Sequence, residues 1–190
     1  LQGDVGSGKT VIAAYAAFAA IRSGYQAAIM APTEILAQQH YLKLCQLLEP
    51  AGLRICLLKG SLSKKKKLQI AEQLKAGEFD LAVGTHALIQ ESVEFANLGL
   101  VVVDEQHKFG VLQRQALSRK SGTHLNCDVL LMTATPIPRT MSLTIYGDLD
   151  LSKLDELPPG RQPIKSRCVP FQEANRAYKF IASQIEEGRQ

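Results

Sequence analysis

Residues Gly3-Asp4-Val5-Gly6-Ser7-Gly8-Lys9-Thr10 fit the spacing G-x-x-x-x-G-K-T. That spacing suits phosphate. Glycines let backbone N–H groups curl around phosphate oxygens with no Cβ in the way. A helix that begins at Lys9 points its positive end at the same oxygens. Lys9 is then in reach of the β- and γ-phosphates of a nucleotide, and the Thr10 hydroxyl is in reach of Mg²⁺. The competing reading is a chance glycine-rich turn. The apolar helical segment directly behind the loop argues against it.

A second constellation is Leu100-Val101-Val102-Val103-Asp104-Glu105-Gln106-His107. An aliphatic strand ends in two adjacent carboxylates. At the carboxyl end of a strand in an open α/β sheet, side chains face the ligand crevice. Asp104 suits Mg²⁺ held through water, and Glu105 suits orienting or deprotonating an attacking water. A strand running into a solvated acidic turn is the alternative. A phosphate loop in the same chain favours the catalytic reading, because triphosphate hydrolysis needs a carboxylate for its cation.

These residues need a sheet to bring them together, and the hydrophobic pattern supplies one. Short aliphatic runs at 26–31, 54–58, 80–84, 100–103 and 128–133 lack polar alternation, as strands buried on both faces do. Helical stretches lie between them at 9–23, 34–51, 63–76 and, more briefly, 112–119. The alternation predicts an α/β fold, a parallel sheet with helices on both faces. The helix after Lys9 is apolar nearly all round (Val11, Ile12, Tyr15, Phe18, Ile21), which predicts burial between layers, with Gly24 as its stop. The strand that should precede the phosphate loop is expected to be missing, the chain having been cut there. Leu157-Pro158-Pro159-Gly160 reads as a linker. Beyond it, 164–170 is expected as a strand and 173–187 as a helix. The domain reading is therefore a first lobe over 1–163 with a truncated N-terminal strand, and the start of a second over 164–190.

Composition sets looser bounds. The chain has 190 residues, 46% of them hydrophobic and 21% charged, as a globular protein does. A formal net charge of +4 is compatible with a polyanionic partner without arguing for one. The run Lys64-Lys65-Lys66-Lys67 reads more readily as a solvated helix face than as a nucleic-acid patch. Cys45, Cys56, Cys127 and Cys168 have no zinc-ligand spacing, and Cys56 and Cys127 lie in apolar runs as reduced thiols do, which favours the cytoplasm. The stretch 11–21 is too short to span a bilayer, and no membrane association is expected. His40, His86 and His124 carry no usable pattern.

Asp104-Glu105-Gln106-His107 is similar to the DExH box of superfamily-2 helicases. With the flanking Lys108-Phe109-Gly110-Val111 it resembles the extended motif II of RecG-type DNA helicases. The resemblance extends along the chain. Ala31-Pro32-Thr33-Glu34-Ile35-Leu36-Ala37-Gln38-Gln39 resembles motif Ia, Val83-Gly84-Thr85-His86-Ala87-Leu88 the motif Ib region, and Thr133-Ala134-Thr135-Pro136 motif III. Pro158 to Pro163 resembles the passage into the second motor lobe. Lys108 is a departure, standing where RecG-type proteins usually carry Arg.

The resemblance implies a RecA-like P-loop NTPase lobe from a cytoplasmic, ATP-dependent helicase that remodels stalled forks and Holliday junctions. ATP and Mg²⁺ are implied on the loop Gly3–Thr10 and on Asp104, with Lys9, Asp104, Glu105 and His107 as catalytic groups. DNA, branched and duplex, is implied over Pro32, Thr33, Gly60, Ser61, Thr85 and His86. Thr133 and Thr135 are implied as the link between hydrolysis and DNA. Capping of helices remains the plainer role for Thr33 and Thr85, and closing a strand for Thr133 and Thr135. The second lobe, with its arginine finger, and a wedge domain complete the implied partners, so the fragment alone is expected to be a weak enzyme. Two other readings stand beside this one. They are a transcription-repair coupling translocase and an ATP-gated binding module without turnover.

Overall fold

The computed structural model describes residues 1–90, 92–105, 127–134, 150–156 and 168–188. The chain divides into two compact units, Leu1–Pro158 and Pro159–Gln190.

The first unit opens with β1 (Gln2–Gly3), followed by the phosphate loop and α1 (Lys9–Arg22). Then come β2 (Gln26–Met30), α2 (Glu34–Leu48), β3 (Ile55–Leu58), α3 (Lys64–Lys75), β4 (Leu81–Gly84), β5 (Leu98–Val103), β6 (Asp128–Leu131) and β7 (Lys153–Leu154). Strands β2 to β6 form a sheet in the order β3-β4-β2-β5-β6, and every neighbouring pair is parallel. β1 pairs in parallel with β7, and a bridge from Gln2 to Thr133 sets β1 beside the end of β6. All these strands therefore point their carboxyl ends the same way. The expected α/β architecture with a parallel sheet is the observed one, and the five expected strands all occur, with ends shifted by at most two residues.

Alternation along the strands explains the layers. Ala28, Met30, Cys56, Leu58, Ala82, Val101 and Val103 face one side, where they pack with Ile70, Ala71 and Leu74 of α3. Ala27, Ile29, Ile55, Leu81, Val83, Leu100 and Val102 face the other, against Ala13, Ala14 and Ala17 of α1 and Leu44 and Leu48 of α2. Each fully buried leucine, such as Leu44, Leu58, Leu74 or Leu81, contributes about 1.5–3 kcal/mol through burial. Burial of polar groups is matched too. The buried Gln26 amide donates to the carbonyls of Leu74 (3.0 Å) and Phe79 (2.8 Å) and accepts from the Asn97 N–H (3.0 Å). Cys56 and Cys127 are buried, and desolvation pushes their thiols up to about 12 and about 11.

Three expectations are corrected. The helix after Lys9 is not buried all round, because Tyr15 is 73% and Val11 53% exposed. Its buried contact with the sheet is made by alanines at positions 13, 14 and 17, whose small side chains let backbones approach, with Phe18 and Ile21 packed partly buried beside them and Val11, Ile12 and Tyr15 left exposed. The strand ahead of the phosphate loop is represented by β1, short but paired. Of the strand expected over 164–170, residues 168–170 are not in strand, and 164–167 lie outside the described residues. The helix expected at 112–119 and the linker at 157–160 also lie outside them.

The second unit, taken by itself, holds a 3-10 turn (Phe171–Glu173) and α4 (Ala174–Glu186). Tyr178, Ile181 and Ile185 recur at helical spacing and stand exposed. Among the described residues no helix is long and apolar enough to cross a membrane.

Candidate functional site

The phosphate loop turns between β1 and α1. Its sharp path uses glycine where only glycine is easy, with Gly6 at φ +81° and Gly8 at φ +95°. A Cβ on Gly8 would point into open space, so the backbone at the helix start is approachable. At Gly3 a Cβ would lie 2.6 Å from Ser7 Oγ and 2.9 Å from Leu154 Cβ, which makes glycine the residue that lets the loop close on β7. The Ser7 hydroxyl is buried and has no hydrogen-bond partner among the described residues. Lys9 Nζ donates to the carbonyls of Gly3 (2.8 Å) and Asp4 (2.9 Å), so the ammonium lies folded over the loop. Thr10 sits half-buried in the first turn. A clear cradle, an orphaned hydroxyl and an ammonium at the helix start fit a bound phosphate.

Asp104 and Glu105 follow β5. The Asp104 N–H donates to the Met30 carbonyl at 2.9 Å and so extends the β2–β5 ladder by one rung. Glu105 has φ +52°, a left-handed conformation that costs a residue with a Cβ on the order of 1–3 kcal/mol. Strain of this size, held just past a strand end, suits a group that must be aimed. Thr133, buried, accepts from the Gly3 N–H through its carbonyl (3.3 Å) and donates its own N–H to the Leu1 carbonyl (3.2 Å). It thereby ties the base of the phosphate loop to β6. Because β1 and β5 flank β6, their ends lie about 10 Å apart, two strand spacings. The carboxylate pair, Thr133 and the phosphate loop thus share one stretch of the sheet's carboxyl edge. Among the described residues no group of three or more His, Cys, Asp and Glu forms a metal cage. A Mg²⁺ ion at Asp104 would complete its shell with Thr10, water and phosphate oxygens, as that ion commonly does.

The residues implied for DNA gather over β2, β3 and β4 on the same edge. Thr33 is the N-cap of α2, and its hydroxyl accepts from the Leu36 N–H at 3.3 Å. Pro32 precedes it, half-buried. A Cβ on Gly60 would stand 3.2 Å from Glu34 Oε1 and 4.0 Å from His86 Cε1, which places the three loops in contact. Ser61 donates twice to Glu34, from its N–H at 2.8 Å and from its hydroxyl at 2.6 Å. Those two bonds, ahead of the Lys59 and Lys67 charges, hold the Glu34 carboxyl below its usual range. Thr85 is buried, and its hydroxyl has no partner among the described residues, whereas His86 is exposed. Of the Thr85-His86 pair, His86 is therefore the one at the surface. The capping role of Thr33 is present, and Thr85 precedes a 3-10 turn (His86–Ile89) without capping it through its side chain.

Sequence reasoning missed one contact. His40 Nε2 lies 2.7 Å from Asp104 Oδ2, and the two side chains are only 12% and 13% exposed. A carboxylate only accepts, so the ring nitrogen donates. No local pattern signals a pairing across 64 positions. His107 and Thr135 lie outside the described residues, as do Gln106 and Lys108.

Comparison with known proteins gives these features relatives. The family model described as DEAD/DEAH box helicase matches residues 1–143. Over all 190 residues the chain is 53% identical to the ATP-dependent DNA helicase RecG of Synechocystis sp. and 50% identical to that of Bacillus subtilis. It spans 22% and 27% of those proteins, about a quarter of their length. A solved structure of RecG bound to a three-way DNA junction superposes with a TM-score of 0.80 at 43% identity, over 99% of this chain and 25% of that one. The Lhr helicase of Mycobacterium smegmatis, bound to single-stranded DNA and AMP-PNP, shares the fold at a TM-score of 0.52 and 18% identity, over 65% of this chain and 16% of its own.

Proposed function

The chain belongs to the DEAD/DEAH box helicase family, and from that premise we propose that it is the nucleotide-binding motor lobe of a RecG-type, ATP-dependent DNA helicase acting on branched duplex DNA in recombination and repair. The observation that carries the reading is the shared carboxyl edge of one parallel sheet, with the phosphate loop, Thr133 and Asp104-Glu105 over β1, β6 and β5 and the Thr33, Ser61 and His86 loops over β2, β3 and β4.

In this reading the Gly3–Thr10 backbone and Lys9 hold the phosphates, and Thr10 and Asp104 hold Mg²⁺. Held by Thr10 and Asp104, Mg²⁺ would supply neutralisation of the charge on the transferred phosphoryl oxygens. Glu105 orients and deprotonates the attacking water. Pro32, Thr33, Gly60, Ser61 and His86 contact the DNA backbone, positioning the strand without reading its sequence. Thr133 and Thr135 relay the state of the site, and His107 acts with them. Residues 164–190 begin the second lobe, and the exposed stripe of Tyr178, Ile181 and Ile185 is the face its remaining elements would cover. The protein works in the cytoplasm.

An arginine finger contributed by that second lobe is worth about 10³–10⁵ in rate. The isolated 190 residues are therefore expected to hydrolyse ATP poorly. Robust DNA-stimulated turnover by this piece alone would contradict the reading. The decisive experiment is steady-state ATPase of the intact protein with single-stranded, linear duplex and four-way-junction DNA at one salt concentration. Strongest stimulation by the junction is expected. Equal stimulation by linear duplex would point to a general duplex translocase, and no stimulation by any DNA would reject the reading.

A further inference from the structure

Helix α2 carries three polar contacts that the function above does not use. At its first turn Glu34 accepts both Ser61 donors. One turn on, Gln38 Oε1 accepts from Lys59 Nζ at 3.1 Å. At the seventh residue His40 holds Asp104 Oδ2 at 2.7 Å. Glu34 and His40 are about 9 Å apart along the axis, at 1.5 Å per residue. One rigid rod therefore touches the loop after β3 at one end and the cation carboxylate further along.

The chemistry at the first end is competitive. An N–H and a hydroxyl that converge on a carboxylate are the donors that a backbone phosphate takes. A phosphate seated on Gly60-Ser61 displaces the Glu34 carboxylate, because both are anions and the donors are the same. Glu34 belongs to α2, so its release changes what holds the start of that helix. At the other end, His40 fixes one oxygen of Asp104 in a nearly water-free contact and thereby sets how the carboxylate presents its second oxygen. Partners of this kind orient a ligand and tune its affinity for a metal.

We propose that α2 couples DNA on the Gly60-Ser61 loop to the Mg²⁺ carboxylate, with His40 as the positioning residue that transmits the shift to Asp104. This rests on the motor reading above, since it takes that reading's DNA loop and cation ligand as the two ends. It supplies a route distinct from Thr133 and Thr135, which follow β6 in sequence.

The test uses the intact protein and a fluorescent ATP analogue, whose binding is titrated with Mg²⁺ in the presence and absence of a four-way DNA junction. In wild type the junction is expected to shift the Mg²⁺ midpoint. His40→Ala is expected to raise that midpoint by about tenfold, the scale of a lost outer partner, and to abolish the DNA-dependent shift. DNA affinity without nucleotide stays unchanged. His40→Gln, whose Nε2 keeps a donor near the same place, recovers the midpoint and the shift. A wild-type midpoint and shift in His40→Ala would overturn the proposal. So would an equal loss in His40→Gln, which would mark the ring as packing rather than as a donor, or a wild type whose midpoint ignores DNA. Analogue binding by wild type that does not depend on Mg²⁺ would instead sink the motor reading beneath it.

Discussion

Over β2 and β3 the polar side chains satisfy one another. Glu34 takes both donors of Ser61, Gln38 takes Lys59, and Thr33 caps the helix that carries them. Over β1 the loop keeps the Ser7 hydroxyl buried without a partner among the described residues, and Lys9 rests on the carbonyls of Gly3 and Asp4. The two clusters sit on one edge of one sheet and differ in where their hydrogen bonds come from. The first, the neighbouring Thr85 hydroxyl apart, is complete as folded, so a ligand must compete for it. The second is incomplete as folded, so a ligand completes it. Under the proposed motor reading, nucleotide would complete the second cluster and DNA would compete for the first.

Breaking the incomplete cluster has the largest expected effect. In the intact protein Glu105→Gln lowers ATP turnover by about 10²–10⁴-fold, the scale of a lost general base, while equilibrium binding of ATP persists. Lys9→Ala abolishes turnover and weakens binding as well. Steady-state rates and nucleotide titrations check both, and an active Glu105→Gln would remove its role. Next is Gly3→Ala, whose new methyl meets Ser7 Oγ at 2.6 Å and Leu154 Cβ at 2.9 Å. It is expected to destabilise the lobe by about 1–3 kcal/mol, read from the denaturant midpoint, and an unchanged midpoint would show that the loop gives way freely.

The complete cluster and its scaffold give smaller effects. Arg54 grips Asp80 with two side-chain bonds (2.7 and 3.1 Å) and its own N–H (2.8 Å), and the guanidinium holds the Asp80 carboxyl below its usual range. The folded-state value is depressed, so this stabilisation is present above the ordinary aspartate pKa and is lost as pH falls through the lowered one. The pair is partly exposed and screened, so Asp80→Asn costs about 1 kcal/mol or less at neutral pH, and the difference from wild type shrinks in acid. The smallest effect sharpens the comparison most. Ser61→Ala removes the hydroxyl bond to Glu34, and the Glu34 carboxyl is expected to titrate closer to its ordinary value by NMR. An unmoved titration would mean that the backbone N–H alone holds it.

The residues show why some of this was legible in the sequence. Gly3–Thr10 and Val103-Asp104-Glu105 stand out as candidates because phosphate and cation chemistry restrict which types fit at fixed local spacing, and the structure brings both to one edge of the sheet. The doubly buried strands were readable because both faces of Gln26–Met30 and Leu98–Val103 are covered, which demands unbroken apolar runs. The environment of α1 was misread because hydrophobicity reports what a side chain prefers, whereas alanine at 13, 14 and 17 reports how closely the sheet comes. His40 was unreadable, since its meaning depends on a partner 64 residues away. β7 was too short to leave a pattern, and Leu154 matters through the space it leaves for Gly3.

The placement of β1 also orders events in time. Residues 1–3 are held by Leu131, Thr133 and Ser152, more than 120 positions downstream. During synthesis the phosphate loop emerges long before its anchors at Leu131, Thr133 and Ser152. At about 5–20 residues per second the loop waits on the order of ten seconds without its foundation. The proposed nucleotide loop thus gains its anchors only after the residues of β2 to β5 have emerged.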